Sequence, residues 1–270
     1  MSERESELLE IRGRTQAHYD KYPFRFDQRV IVDEKMENRL MGAAILQLPS
    51  DDATIFDVGC GACRVAHMVR SAGKGSVISV DISRQTLRDA KSHNPSPVLN
   101  ADNMHLPIRS GAADLVISNG VIMVTPDARA SFGELARITR PGGTLVVSVY
   151  DRDCWYYPVY RFGGPIVRWL RDVIGDGGLR WTVFPFFHIA TLALLAIVIR
   201  KPIWVPIEIS WNLFHDQFTT PHCTFHTVDE VLEWGESCGL SCEENRSEAA
   251  NQLISFRFQK AAAGVDASAD

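Results

Sequence analysis

The sequence is short of positive charge: 28 lysines and arginines stand against 33 acidic residues, a formal charge of −5. No basic run is long enough to follow a phosphate backbone, so nucleic acid is not expected as a partner. An apolar leader is lacking as well. The opening residues, MSERESELLEIRGR, are charged, which predicts a cytoplasmic protein without a secretory signal. The six cysteines, at positions 60, 63, 154, 223, 238 and 242, lack the even framework of a small secreted domain. A chain of 270 residues builds a core without such staples, and reduced thiols are expected. Cys60 and Cys63 do form a C-x-x-C, but its place inside a glycine turn argues against redox or zinc use. Internal repeats are absent.

What is present is an alternation. Short β-rich runs occupy 54–58, 76–81, 97–100, 113–118 and 143–150, and helical periodicity occupies 62–72, 83–91 and 128–138 between them. Strands alternating with helices predict a parallel sheet covered on both faces. The alternation stops after RPGGTLVVSVY and resumes with TVDEVLEWGESCGL (227–240), where Thr227 caps a helix that ends at Gly239. Two last strands fit 240–246 and 252–258. The first 50 residues read as two helices joined at DKYPFRFD, where Pro23 breaks the period, and the tail KAAAGVDASAD reads as disordered. The expected organisation is an N-terminal helical cap (1–50), a core (51–151), an inserted lid (152–226), the closing helix and strands (227–260) and a tail (261–270).

The first strand runs into a glycine turn, IFDVGCGACRV. A dinucleotide fingerprint needs a third glycine where Arg64 stands, which weakens that reading. Acids are there instead. Asp57 ends the first strand, where a carboxylate suits an ammonium group and repels a pyrophosphate. Asp81 ends SVISVD, where an acid accepts hydrogen bonds from ribose hydroxyls, and Asp102 follows the next strand. Each acid alone reads equally well as a helix or turn cap. Together at these strand ends they describe S-adenosylmethionine better than a nucleotide phosphate.

The stretches IFDVGCGACRVA, VISVDIS, ADNMHLPIRSGAADLVISNGVI and LARITRPGGTLVVSVY, in this order over residues 54–150, resemble the class I S-adenosylmethionine-dependent methyltransferases. The similar branch includes quinone-biosynthesis and other small-molecule enzymes. The resemblance implies a Rossmann-like α/β fold, a doubly wound seven-stranded sheet with an apolar helical lid inserted after the fifth strand. It implies that Asp57, Gly59, Cys60 and Gly61 surround the methionine moiety, and that Asp81 and Ile82 hold ribose and adenine. It further implies that Asp102, Asn103 and Met104 flank the adenine, that Asn119 and Gly120 line the pocket, and that Tyr19 and Tyr22 lie on an element that folds over the cofactor. Cys63 departs from the pattern where many relatives have a glycine.

From Trp181 to Ile199 no charged residue appears, close to the roughly 18–20 apolar residues of a membrane span. A span would separate the last two strands from the sheet they complete, so none is expected. A buried lid helix and an apolar surface resting at a membrane interface both remain. Downstream, LFHDQFTTPHCTFHTVDEV carries His215, Asp216, His222 and His226, the candidate proton acceptors. His222 and His226 have metal spacing only on a helix, whereas Pro221 and the Thr227 cap predict a loop; a metal-free site is expected. The expected activity is methyl transfer to a small hydrophobic acceptor such as a lipid, isoprenoid or polyketide-like molecule. A small polar acceptor, or a non-catalytic S-adenosylmethionine-binding regulator, are the alternatives.

Overall fold

The computed structural model describes residues 2–23, 52–71, 75–92, 96–199, 204–248 and 252–262. The expected second N-terminal helix and the tail beyond 262 lie outside these residues. Seven strands form one sheet: β1 Thr54–Val58, β2 Ser76–Asp81, β3 Val98–Asn100, β4 Ala113–Asn119, β5 Thr139–Tyr150, β6 Leu240–Glu248 and β7 Leu253–Lys260. Their order is β3-β2-β1-β4-β5-β7-β6. The first five strands are parallel, and β7 is antiparallel to both its neighbours. The expected doubly wound architecture is borne out. The central strands bury both faces, with Val58, Val116, Ile117 and Val147 inaccessible to solvent, which is why they read as continuous apolar runs.

Helix α1 spans Glu3–Lys21 and starts at a capping box in which Ser2 and Glu5 exchange bonds. In the core, α2 spans Arg64–Ser71, α3 Arg84–Lys91 and α4 Ala128–Ile138. The glycine turn delays α2 by two residues relative to the expected start, because Cys63 adopts a left-handed φ of 53°. After β5 the chain forms α5 Gly164–Thr182, interrupted at Gly175 (φ 69°), then α6 Phe184–Ile199 and α7 Ile207–Thr219. Helix α8, Val228–Ser237, carries the expected Thr227 cap and ends before Gly239 (φ 70°).

The uncharged run at 181–199 is divided between two helices at Val183. Sixteen residues of α6 span about 24 Å, less than the roughly 30 Å of a bilayer core. Among the described residues no helix is long and apolar enough to cross a membrane.

Candidate functional site

In a doubly wound sheet the chain leaves the first strand in opposite directions, opening a crevice beyond the strand ends where that reversal occurs. Here β1 lies between β2 and β4, and a cavity sits at their carboxyl ends. It is lined by Gly59, Gly61, Asp81, Ile82, Asp102, Asn103 and Gly120, seven of the twelve residues expected at the cofactor. Asp57, Cys60, Met104 and Asn119 are not among the lining residues. Tyr22 stands elsewhere: its ring stacks on His215 with centroids 3.7 Å apart, and its hydroxyl donates to Asp176 at 2.6 Å.

The turn that shapes the cavity is held by its own acid. The Gly61 N–H donates to Asp81 Oδ2 at 3.0 Å and the Ser83 N–H to Oδ1 at 2.9 Å, leaving each oxygen a further lone pair. Burial raises Asp81 to about 6, against these two bonds. Asp57 is 3% exposed with Oδ2 unpartnered, and burial, then Cys63 and Asp81, push its carboxyl well upward. An ammonium group beside it would supply the missing donor and return it to the ionised form. Gly59 has φ 78°, and a Cβ there would come within 2.3 Å of Val121 Cγ1, so the turn admits no side chain. These acids suit the amine and hydroxyls of S-adenosylmethionine: the residues present fit the expected cofactor.

Sequence reasoning missed Arg12, Thr15, Thr86, Val121, Val124, Thr125 and Pro126, which complete the wall. Arg12, Thr15 and Tyr19 recur at helical spacing along one face of α1, a signal present in the sequence without any indication of what the face covers. The contact that fixes it joins residues far apart in the chain, Arg12 Nε to the buried Asp102 carboxylate at 3.1 Å. None of the lining residues comes from 152–226; α1 walls this cavity through Arg12, Thr15 and Tyr19, in line with the N-terminal element expected over the cofactor.

The four candidate proton acceptors do not form one cluster. His215 and Asp216 lie on α7, not on the expected loop, whereas His222 and His226 are in the loop between α7 and α8. The His215 ring is fully buried against Tyr22 and Trp211. Because the Thr219 hydroxyl donates to the His215 carbonyl, His215 Nδ1 donates to Thr219 Oγ1 at 2.8 Å and Nε2 carries no proton. Burial lowers its pKa to about 3. His226 bonds Thr224 and Glu230, pinning the loop to α8. His222 is partly buried with Nε2 unpartnered. Among the described residues no group of three His, Cys, Asp or Glu side chains is placed to hold a metal.

Asp216 is connected to the cavity. Tyr19, which lines it, donates its hydroxyl to Asp216 Oδ1 at 3.1 Å, and Gln217 Nε2 donates to Oδ2 at 3.2 Å. Burial raises Asp216 to about 6 and holds the Tyr19 phenol protonated. A buried carboxylate poised near neutrality, one hydroxyl away from a ligand cavity, can take up a proton.

A family model described as a methyltransferase domain matches residues 56–147. A malonyl-[acyl-carrier protein] O-methyltransferase of Hamiltonella defensa is 33% identical over 40% of this chain and 43% of its own. A 2-methyl-6-phytyl-1,4-hydroquinone methyltransferase of Synechocystis is 31% identical over 44% of this chain and 39% of its own. The chain thus spans less than half the length of these relatives in the matched region. The solved structure of an S-adenosylmethionine-dependent methyltransferase from Thermotoga maritima shares the fold with a TM-score of 0.58 at 13% identity, covering 91% of this chain and 99% of that one. Residues 56–147 thus match a methyltransferase domain, and the strand order and the acid-lined cavity at its reversal point suit S-adenosylmethionine as the cofactor.

Proposed function

We propose that this protein transfers the methyl group of S-adenosylmethionine to a small, largely apolar acceptor that it meets at a membrane surface. The observation that carries the reading is an unpartnered apolar face on the insertion. Phe162, Ile166, Trp169 and Val173 recur at helical spacing through the start of α5, and each is more than half exposed. Phe186, Ile189 and Ile197 do the same on α6, and Trp181, at 82%, is the most exposed large apolar side chain among the described residues. Aromatic side chains with basic neighbours suit the headgroup boundary of an anionic bilayer. The segment 159–204 holds six lysines and arginines against two aspartates, a net charge of +4 in a chain of −5.

The cofactor supplies an electrophilic methyl group. The protein's task is alignment: Asp81 and Asp102 meet the hydroxyl and amino groups, the unpartnered Oδ2 of Asp57 is free to accept from the amine, and α1 walls the cavity and excludes water. Where the acceptor is a hydroxyl, Tyr19 receives its proton while passing its own to Asp216. Of the four candidate proton acceptors, Asp216 is the one that the geometry favours. His215 stays neutral as a packing residue, and His222 and His226 shape the loop.

The test follows S-adenosylhomocysteine release from purified protein supplied with separated lipid-soluble and water-soluble metabolite extracts, alongside co-sedimentation with anionic liposomes. Turnover with the lipid-soluble fraction is expected, with liposome binding that falls in Trp169→Ser/Phe186→Ser. Turnover confined to the water-soluble fraction, without liposome binding, would assign a polar acceptor instead. Cofactor binding with no turnover in either fraction would indicate a regulator.

A further inference from the structure

Helix α1 has a second cavity on its other side. Arg12, Thr15 and Tyr19 face the cofactor, while Arg14, Ala17, His18 and Lys21 face an open recess completed by Tyr22, Arg168, Arg171, Thr219 and Pro221. Three guanidinium groups and one ammonium line this recess, and none of the lining residues is acidic. That is unusual for a protein of net charge −5.

The neighbouring acids leave much of this charge unanswered. Lys21 pairs with Asp176 at 2.7 Å, but among the described residues Arg14 reaches only the exposed Glu10, at 3.5 Å, and Arg171 only the adjacent, exposed Asp172, at 3.6 Å. Arg168 donates to the Phe218 carbonyl at 3.1 Å and has no carboxylate within ion-pair distance among the described residues. His18 adds an independent sign. It is 7% exposed, and its Nε2 is buried without a hydrogen-bond partner. Clustered guanidiniums bind phosphate oxygens through paired N–H groups, which a single carboxylate would not saturate.

We infer that the recess between α1 and α5 is a binding site for a phosphate or diphosphate ester, separate from the methyl-transfer cavity. Arg168 and Arg171 stand on the same turns of α5 as Trp169 and Val173 of the outward apolar stripe, so a phosphate held here lies beside the surface proposed to meet lipid. The ligand is therefore a phosphate-bearing amphiphile or a soluble phosphate ester of the same headgroup chemistry. Its membrane-bound form rests on the proposal above; the anion site itself does not. Because α1 lines both cavities, an anion that immobilises α1 also favours the cofactor, and by linkage the cofactor favours the anion.

The experiment measures pyrophosphate binding by calorimetry at constant ionic strength, with and without S-adenosylmethionine, and vesicle binding with phosphatidic acid or phosphatidylserine in phosphatidylcholine. Pyrophosphate is expected to bind with Kd below about 1 mM, and about tenfold more weakly in Arg171→Gln and in Arg14→Gln. Both variants should retain cofactor affinity when phosphate is absent. Arg168→Lys serves as a milder change if the neutral variants unfold. Stronger, Arg171-dependent binding to phosphatidic acid vesicles than to phosphatidylserine vesicles identifies a lipid headgroup; equal vesicle binding with pyrophosphate retained identifies a soluble ester. No pyrophosphate binding, or binding unchanged in all three variants, overturns the site. Vesicle binding that needs Trp169 and Phe186 but not the arginines, together with no pyrophosphate binding, would leave the membrane reading standing while the anion site fell.

Discussion

The core and the insertion use their side chains in opposite senses. Around β1, β2 and β4 the apolar residues are inside and the polar ones that accompany them, Asp57 and Asp81, sit at strand ends where a ligand approaches. In the insertion Trp169 and Phe186 are outside, at 62% and 75% exposure, while Ser210, His215 and Thr219 are buried. Composition differs as well as direction: 15 of the 75 residues in 152–226 are Phe, Trp or Tyr, against 3 of the 101 in 51–151. A buried polar group needs a partner, and an exposed apolar stripe of this extent needs a covering surface. The core answers the first need at Asp81 with backbone bonds and leaves Asp57 Oδ2 to a ligand, and the insertion leaves the second open to whatever docks on it.

The comparison breaks most sharply at glycine. Gly59→Val combines a left-handed backbone with a collision against Val121, and we expect a loss of about 2–5 kcal/mol in stability and no measurable cofactor binding. Gly177→Ala in the insertion meets nothing within 4 Å and should leave the melting temperature nearly unchanged or slightly higher. Thermal denaturation of the two variants decides this; equal effects would mean that the turn tolerates a side chain.

The two regions meet at the Tyr19 to Asp216 hydrogen bond. Asp216→Asn should lower kcat by about 10²–10⁴ with cofactor affinity unchanged. In the unaltered protein kcat should rise with pH through about 6, because Asp216 accepts a proton only once ionised. A flat profile over pH 5–7 in steady-state assays, with normal turnover in the variant, would reduce Asp216 to a support for Tyr19.

The smallest effect belongs to Asp81→Ala. Loss of its charged hydrogen bonds should weaken S-adenosylmethionine by about 1–3 kcal/mol in calorimetry while the fold survives. Asp172→Ala, on the exposed side of the insertion, should change nothing. Unchanged affinity in Asp81→Ala would remove the ribose assignment.

Much of the cofactor site was legible because it follows strand ends. Gly59, Gly61, Asp81, Ile82, Asp102, Asn103 and Gly120 each stand within a few residues of a carboxyl terminus in a parallel sheet, and the alternating pattern locates those termini. Asp57 and Asn119 belong to the same strand ends but are not among the lining residues. The histidines were less legible, since H-x-x-x-H spacing carries no information on whether a ring faces a cavity or, like His215, an aromatic stack.

The sequence by itself determined the sheet, its switch point and the acids placed there, because short apolar runs bounded by turns and glycine φ requirements are local properties. Only the tertiary structure decided that Arg12 and Thr15 join Tyr19 in the cavity wall, that Asp216 rather than a histidine bonds that Tyr19, and that the apolar face of α5 and α6 points outward. Those outcomes depend on contacts such as Arg12 to Asp102 and Tyr19 to Asp216, formed between residues up to 197 positions apart, where no periodicity extends.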